Sequence, residues 1–134
     1  MKKEAIKYHQ QGYSCSESVI MAAVEAGICD KSLLAVATSF SGGMSSGCLC
    51  GAVAGAQMVI GYNFGKENKN GNDVSAKPKA KEFIDEFKKN RKATCCKVLT
   101  AGYDFNSPER RENCENLVAE CAEILDSMIG AKAE

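Results

Sequence analysis

The stretch SFSGGMSSGCLCGAVAGAQMVIGYNFG, from Ser39 to Gly65, joins a glycine-rich turn to an apolar run that begins at Cys50. Glycines let the backbone adopt positive φ and approach other groups closely. A cysteine at the start of a helix lies beside unpaired N–H groups and the positive end of the macrodipole, which favours its thiolate. The stretch therefore predicts that Cys50 is presented, accessible and reactive, from a tight turn. The alternative is a core helix whose cysteines are small apolar fillers.

The run that starts at Cys50 is apolar nearly all round and rich in glycine and alanine, as expected for the central helix of a bundle. The turn before it has the glycine spacing of a phosphate-binding loop at Gly42 and Gly47. No lysine stands where such a loop needs one to contact the phosphates, so we exclude a nucleotide site.

Further cysteines fall in the first turns of other predicted helices. Ser14 and Glu17 have the spacing of a capping box, which places Cys15 in the first turn of a helix, on its inward side. Thr94 is predicted to cap a short helix that opens with the adjacent pair Cys95 and Cys96. Neighbouring residues on a helix point about 100° apart, so only one of this pair can face the core squarely.

The C-terminal helix is predicted to start at Ser107, where a capping serine precedes a proline and an acid, and to end near Ile129. Cys114 and Cys121 share its apolar stripe. Cys121 is surrounded by aliphatic residues, which favours core packing. Cys114 lies nearer the helix start and is the better candidate for chemistry.

No alternating β pattern occurs, so the predicted fold is all-α. We expect a single domain over residues 1–134, a bundle of about six helices around the glycine- and alanine-rich helix that starts at Cys50. A first helix over residues 2–11 carries the only histidine, His9, which we do not assign to a site.

Composition excludes several functions. Acidic and basic residues balance at 17 each, which gives no electrostatic footprint for nucleic acid. The uncharged stretch from Ser32 to Gly65 is interrupted by its serines and glycines, so no membrane insertion is expected. The N-terminus lacks the apolar segment of a signal peptide, which predicts a cytoplasmic protein.

Eight cysteines in that compartment indicate metal binding or thiol redox chemistry.

The pattern resembles that of a small bacterial and archaeal family of redox-active proteins, named C_GCAxxG_C_C for its cysteine signature. The matching residues are Gly12–Val19, Phe40–Met44, Gly47, Cys50–Ala56, Cys96–Leu99 and Cys114–Val118. By this match the four signature cysteines are Cys15, Cys50, Cys96 and Cys114. The resemblance implies an all-helical, redox-active protein, and family members are often encoded near transporter genes. This chain carries four further cysteines, Cys29, Cys48, Cys95 and Cys121.

Two chemistries fit thiols that converge from several helix ends. In thiol–disulfide exchange, Cys50 is the predicted attacking thiolate, with a resolving partner among Cys15, Cys48, Cys96 and Cys114. The absence of a C-x-x-C motif excludes a thioredoxin-like enzyme.

The alternative is a zinc ion or an iron–sulfur cluster held by the thiolates of Cys15, Cys50, Cys96 and Cys114. A third, non-catalytic hypothesis is a helical adaptor for a transporter. The expected partner is a thiol or disulfide, either a protein or a small molecule. A homodimer is a further expectation, since small helical bundles with glycine-rich faces often pair.

Overall fold

The computed structural model describes residues 1–68, 71 and 75–133, with residues 130–133 described by their backbone alone. Over this part of the chain the fold is all-α, as predicted, with seven α-helices and no strand. The helices are α1 (Lys2–Gln10), α2 (Cys15–Glu25), α3 (Leu33–Ala37), α4 (Gly51–Phe64), α5 (Ala76–Arg91), α6 (Cys96–Leu99) and α7 (Pro108–Ala133). One isolated antiparallel bridge joins Leu49 to Cys95.

Helix α4 is the central helix, as predicted, and packs against α2, α5 and α7, while α1 packs against α2 and α7. Small residues allow the close approach: a Cβ on Gly55 would lie 2.8 Å from the carbonyl oxygen of Ser16 on α2. The largest fully buried side chains include those of Ile20, Ile60 and Phe83. No helix within the described residues is both long and apolar enough to cross a membrane.

Local capping rules fix two helix starts. The backbone N–H of Glu17 donates to Ser14 Oγ (3.4 Å), and the N–H of Ser14 donates to Glu17 Oε1 (3.0 Å), which completes the predicted capping box of α2. At the start of α7, the N–H of Arg110 donates to Ser107 Oγ at 3.1 Å. Helix α7 continues to Ala133, past its predicted end.

The predicted cap of the short helix α6 is wrong. Thr94 does not cap it, and the residue that follows Thr94 occupies the N-cap position without a side-chain hydrogen bond. The carbonyl oxygen of Thr94 accepts instead from the N–H of Cys50 (2.7 Å), and the N–H of Cys96 donates to the carbonyl of Cys48 (2.5 Å). These two long-range hydrogen bonds lie on either side of the isolated bridge between Leu49 and Cys95, and they hold the residues just before α6 in an extended conformation.

The glycine-rich turn contains four consecutive residues in the left-handed region: Gly42, Gly43, Met44 and Ser45, with φ of 62°, 65°, 62° and 56°. This conformation costs an L-residue about 1–2 kcal/mol, so the two non-glycine residues are strained. Gly43 is buried, and a Cβ there would lie 2.7 Å from the Cβ of Cys96. The turn therefore packs directly against the start of α6.

Candidate functional site

One cavity of about 210 Å³ brings together the four cysteines that match the signature: Cys15, Cys50, Cys96 and Cys114. Each comes from a different helix: the first turns of α2 and α6, the N-cap of α4, and the second turn of α7. The predicted convergence of helix starts is therefore what the structure contains. The cavity, rather than any single helix end, is the candidate site.

Cys15 is coupled electrostatically to each of the other three cavity cysteines, as Cys96 is. It is half-buried at the first position of α2. A Cβ placed on Gly51 would lie 2.4 Å from Cys15 Sγ, so this sulfur rests against the backbone that follows Cys50. A negative charge on Cys15 is one of the causes that raise the pKa of Cys50, Cys96 and Cys114.

The prediction that Cys50 is an accessible, acidic thiol is wrong. Its side chain is only 4% exposed, and burial raises its pKa to about 12. The nearby backbone N–H groups of Val53 and Ala52 act in the opposite direction but are outweighed. Cys50 lies at a helix start, as expected. The loss of hydration nevertheless changes its pKa more than the helix start does, because the turn folds Cys50 under α2.

Cys96 and Cys114 face a cation. Burial raises the pKa of both thiols, and the positive charge of Arg110 opposes that rise in each case. Cys96 is buried, whereas Cys114 is half-buried. The Thr100 hydroxyl donates to the carbonyl oxygen of Cys96 at 2.7 Å, a hydrogen bond from the C-cap residue of α6 back to its first residue.

The other four cysteines do not line the cavity. Cys48, a predicted site residue, is exposed. Cys95 points its sulfur to the carbonyl of Gly47 (3.3 Å), which leaves Cys96 as the member of that pair in the site. Burial raises the pKa of Cys29 to about 11, and Cys121 is fully buried in the core, as its aliphatic surroundings predicted.

Sequence reasoning missed several polar residues of the cavity wall. Arg110 and Arg111 line it, as do Ser41 and His9, the histidine that the sequence analysis does not assign to a site. The Ser41 hydroxyl donates to Ser14 Oγ at 2.6 Å. One signal was present in the sequence: Arg110 precedes Cys114 by four residues, a spacing that puts both on one helix face. The other contacts are long-range.

The four cavity thiols are soft metal ligands, but they are not positioned to coordinate one ion together. Within residues 1–68, 71 and 75–133, no three side chains of His, Cys, Asp or Glu are grouped so that they could share a metal ion. The four thiols match the ligand type that zinc and iron–sulfur clusters prefer. A shared ion would require their sulfur atoms to move closer together.

Comparison with known proteins gives one match. The model of the family described as "Putative redox-active protein (C_GCAxxG_C_C)" matches residues 13–128, which is most of the chain and includes all four cavity cysteines. Neither the curated proteins nor the solved structures gave a match. On the strength of the family match, this chain belongs to the C_GCAxxG_C_C family.

Proposed function

We propose that this protein carries out thiol–disulfide exchange in the four-cysteine cavity, with Cys15 as the attacking sulfur and Cys50 as the resolving one. The observation that supports this function is the convergence of four cysteines from four helices on one cavity. Buried cysteines that serve only as packing have no reason to share a cavity wall with two arginines and a histidine.

Cys15 has the features of a first nucleophile. It is half-buried, so a substrate sulfur can reach it, and it occupies the first turn of an 11-residue helix whose start is held by a capping box. Cys50, whose pKa is about 12, is almost entirely protonated at neutral pH and is unsuited to the first attack.

The proposed reaction balances as follows. The thiolate of Cys15 attacks one sulfur of a substrate disulfide, so that a mixed disulfide forms and one thiolate leaves. The sulfur of Cys50 then attacks Cys15 Sγ, its proton passes to the departing substrate thiolate, and an internal disulfide closes. The protein loses two electrons and two protons, and the substrate disulfide becomes two thiols. Exchange with Cys96 and Cys114 would relay the disulfide across the cavity without further oxidation.

The test uses reduced protein and hydroxyethyl disulfide, a small neutral substrate, with intact mass and free-thiol counts as readouts. We expect the loss of two thiols without a retained adduct, and their recovery with reductant. Cys15→Ser should abolish the fast reaction, and Cys50→Ser should retain the mixed disulfide. Cys48→Ser, which removes an exposed cysteine outside the cavity, is the matched control. Reaction of Cys15→Ser at the parent rate would contradict the proposal.

Metal ligation is the second candidate function, favoured by the four soft thiols in one cavity wall. Zinc or an iron–sulfur cluster would be held by Cys15, Cys50, Cys96 and Cys114. Elemental analysis and an absorption spectrum of anaerobically purified protein test it. Stoichiometric zinc or iron, together with four thiols blocked from alkylation, would support ligation over exchange.

The wider setting stays a prediction. We expect one domain over residues 1–134, a cytoplasmic location and a thiol or disulfide partner. Association with a transporter and formation of a homodimer are also predictions, which affinity capture and light scattering would test.

A further inference from the structure

The cavity wall is positively charged. Besides the four cysteines, its ionisable residues are Arg110, Arg111 and His9, whose pKa is lowered by burial, so the two arginines supply the positive charge; no carboxylate occurs among the described residues that line it. The whole chain is neutral, with 17 acidic and 17 basic residues, so this local imbalance is not a property of the composition. A thiol-lined cavity with cationic walls attracts negatively charged molecules.

Arg110 is the cation best placed to bind them. It is half-buried and makes no ion pair with any described residue. Its guanidinium carbon lies 5.0 Å from the ring centroid of Phe105, and no hydrogen bond joins the guanidinium to a residue in the described part of the chain. It faces Cys96 and Cys114, whose thiols it influences electrostatically. A guanidinium that is partly removed from water, and has no carboxylate partner, is a preformed anion receptor.

A second space adjoins the first. A cavity of about 620 Å³ shares Ser41, Cys96 and Arg110 with the four-cysteine cavity, and adds the rings of Tyr103 and Phe105. Arg110 therefore stands between a compartment with thiols and one with aromatic walls. A substrate whose sulfur enters the first compartment would bring a group next to that sulfur within reach of the guanidinium.

We propose that the substrate of this site is a small anionic disulfide, whose carboxylate or similar acidic group is bound by Arg110 while its sulfur is presented to Cys15. This inference rests on the proposed thiol–disulfide exchange and names its substrate class. A competing role for Arg110 is to stabilise the thiolates of its cysteine neighbours. The two roles differ in one measurable respect: anion binding favours charged reagents, whereas thiolate stabilisation accelerates every reagent alike.

The test compares iodoacetate with iodoacetamide, two alkylating agents of nearly the same shape, of which only the first is anionic. Both are small enough for the cavity, and neither requires disulfide exchange. Rates at Cys15, Cys114 and Cys48 are measured on the reduced protein by peptide mass spectrometry. The exposed Cys48 lies outside the cavity and reports the intrinsic preference between the two reagents.

We expect the ratio of iodoacetate rate to iodoacetamide rate at the cavity thiols to exceed that at Cys48 by about tenfold, the effect of one charge-assisted contact. Arg110→Gln should bring the cavity ratio down to the Cys48 value, and Arg110→Lys should keep part of it. Lys88→Gln, which removes the same charge from an exposed position on α5, should leave every ratio unchanged.

An unchanged ratio in Arg110→Gln would overturn the proposal, and if both reagents are slowed equally, which also leaves the ratio unchanged, the role of Arg110 is thiolate stabilisation. If Arg110→Gln does not fold, the proposal is tested on the parent protein by asking whether a bound anion protects the cavity thiols from alkylation. Thiodiglycolate, an unreactive dianion, should slow iodoacetamide at the cavity thiols, and the absence of protection would count against the site.

Failure of the proposed thiol–disulfide exchange would give a different result from failure of the anion site. A protein that shows the iodoacetate preference but never reacts with hydroxyethyl disulfide, dithiodiglycolate or cystamine has the anion site without the exchange reaction. A protein that reduces all three disulfides with no preference for the anionic dithiodiglycolate has the exchange reaction without the anion site.

Discussion

The thiol of Cys50 is subject to two opposing influences. Nearby N–H groups at the start of α4 favour the thiolate, while burial under α2 favours the neutral thiol. Burial is the larger effect, because hydration of a full negative charge is worth more than the partial charges of a few amides. At the residue scale, a helix start is therefore not sufficient to make a thiol acidic.

The raised pKa of Cys50 has a consequence for stability. Its thiol ionises at about pH 12 in the folded protein, against an ordinary value of 9.0, so the unfolded state loses its proton first. The stabilisation is complete below pH 9 and is lost progressively as the pH rises from there towards 12. We expect this residue to contribute a slope of about 1.4 kcal/mol per pH unit in that window.

Urea unfolding of reduced protein between about pH 9.5 and about pH 11 measures that slope. Cys50→Ala should flatten the pH dependence by nearly one proton, whatever its effect on stability at neutral pH. Cys48→Ala, at an exposed position outside the cavity, is the matched control. Identical slopes in the parent and in Cys50→Ala would show that Cys50 ionises in the folded state as readily as in the unfolded one.

The start of α4 depends on the absence of a side chain at Gly51. A Cβ there would lie 2.4 Å from Cys15 Sγ and 2.9 Å from the carbonyl oxygen of Phe40, and the latter is backbone that cannot rotate away. We therefore expect Gly51→Ala to lower the free energy of unfolding by about 1–3 kcal/mol. At the element scale, this glycine sets how closely α2 and α4 approach at the cavity.

The matched control lies on the same helix. A Cβ on Gly61 meets nothing within 4 Å, so Gly61→Ala should raise the free energy of unfolding by about 0.5–1 kcal/mol through helix propensity. Chemical denaturation of the two variants checks both signs. Equal stability of Gly51→Ala and the parent would mean that the two helices can move apart without cost.

Sequence rules predicted some helix starts correctly and another wrongly. The capping box at Ser14 and the start of α7 at Ser107 were predicted, because each depends on residues within one helical turn. The cap at Thr94 was not, because its carbonyl is engaged by Cys50, which is far away in the sequence. Where a long-range hydrogen bond competes with a local cap, the local rule gives the wrong answer.

At the scale of the whole molecule, the sequence predicted the cysteines that meet in the cavity but not the polar residues that line it. The four cysteines could be grouped because each was marked by a signature position, and helix starts gave a reason for them to meet. Arg111 carried no such mark in one sequence, since an arginine in a first turn is usually solvated. The polarity of the cavity emerges only when α1, α2, α6 and α7 are packed together.

Oxidation should change the stability of the molecule as a whole. A disulfide between Cys15 and Cys50 would link α2 to α4 and close a long loop, which stabilises by roughly 4 kcal/mol in the chain-entropy estimate. We expect the urea midpoint of the oxidised protein to exceed that of the reduced protein. The difference should vanish in Cys15→Ser and persist in Cys48→Ser. A lower midpoint after oxidation would show that the bond distorts the native packing.

The left-handed turn at residues 42–45 has a consequence for chirality. Met44 and Ser45 have the backbone angles of D-amino acids, in a chain built only from L-amino acids. A chemically synthesised chain with D-methionine at position 44 and D-serine at position 45 would adopt this turn without strain at either residue, and of the encoded residues only glycine comes close to that freedom. The turn that contributes Gly42 to the thiol cavity therefore has the handedness opposite to that of every helix around it.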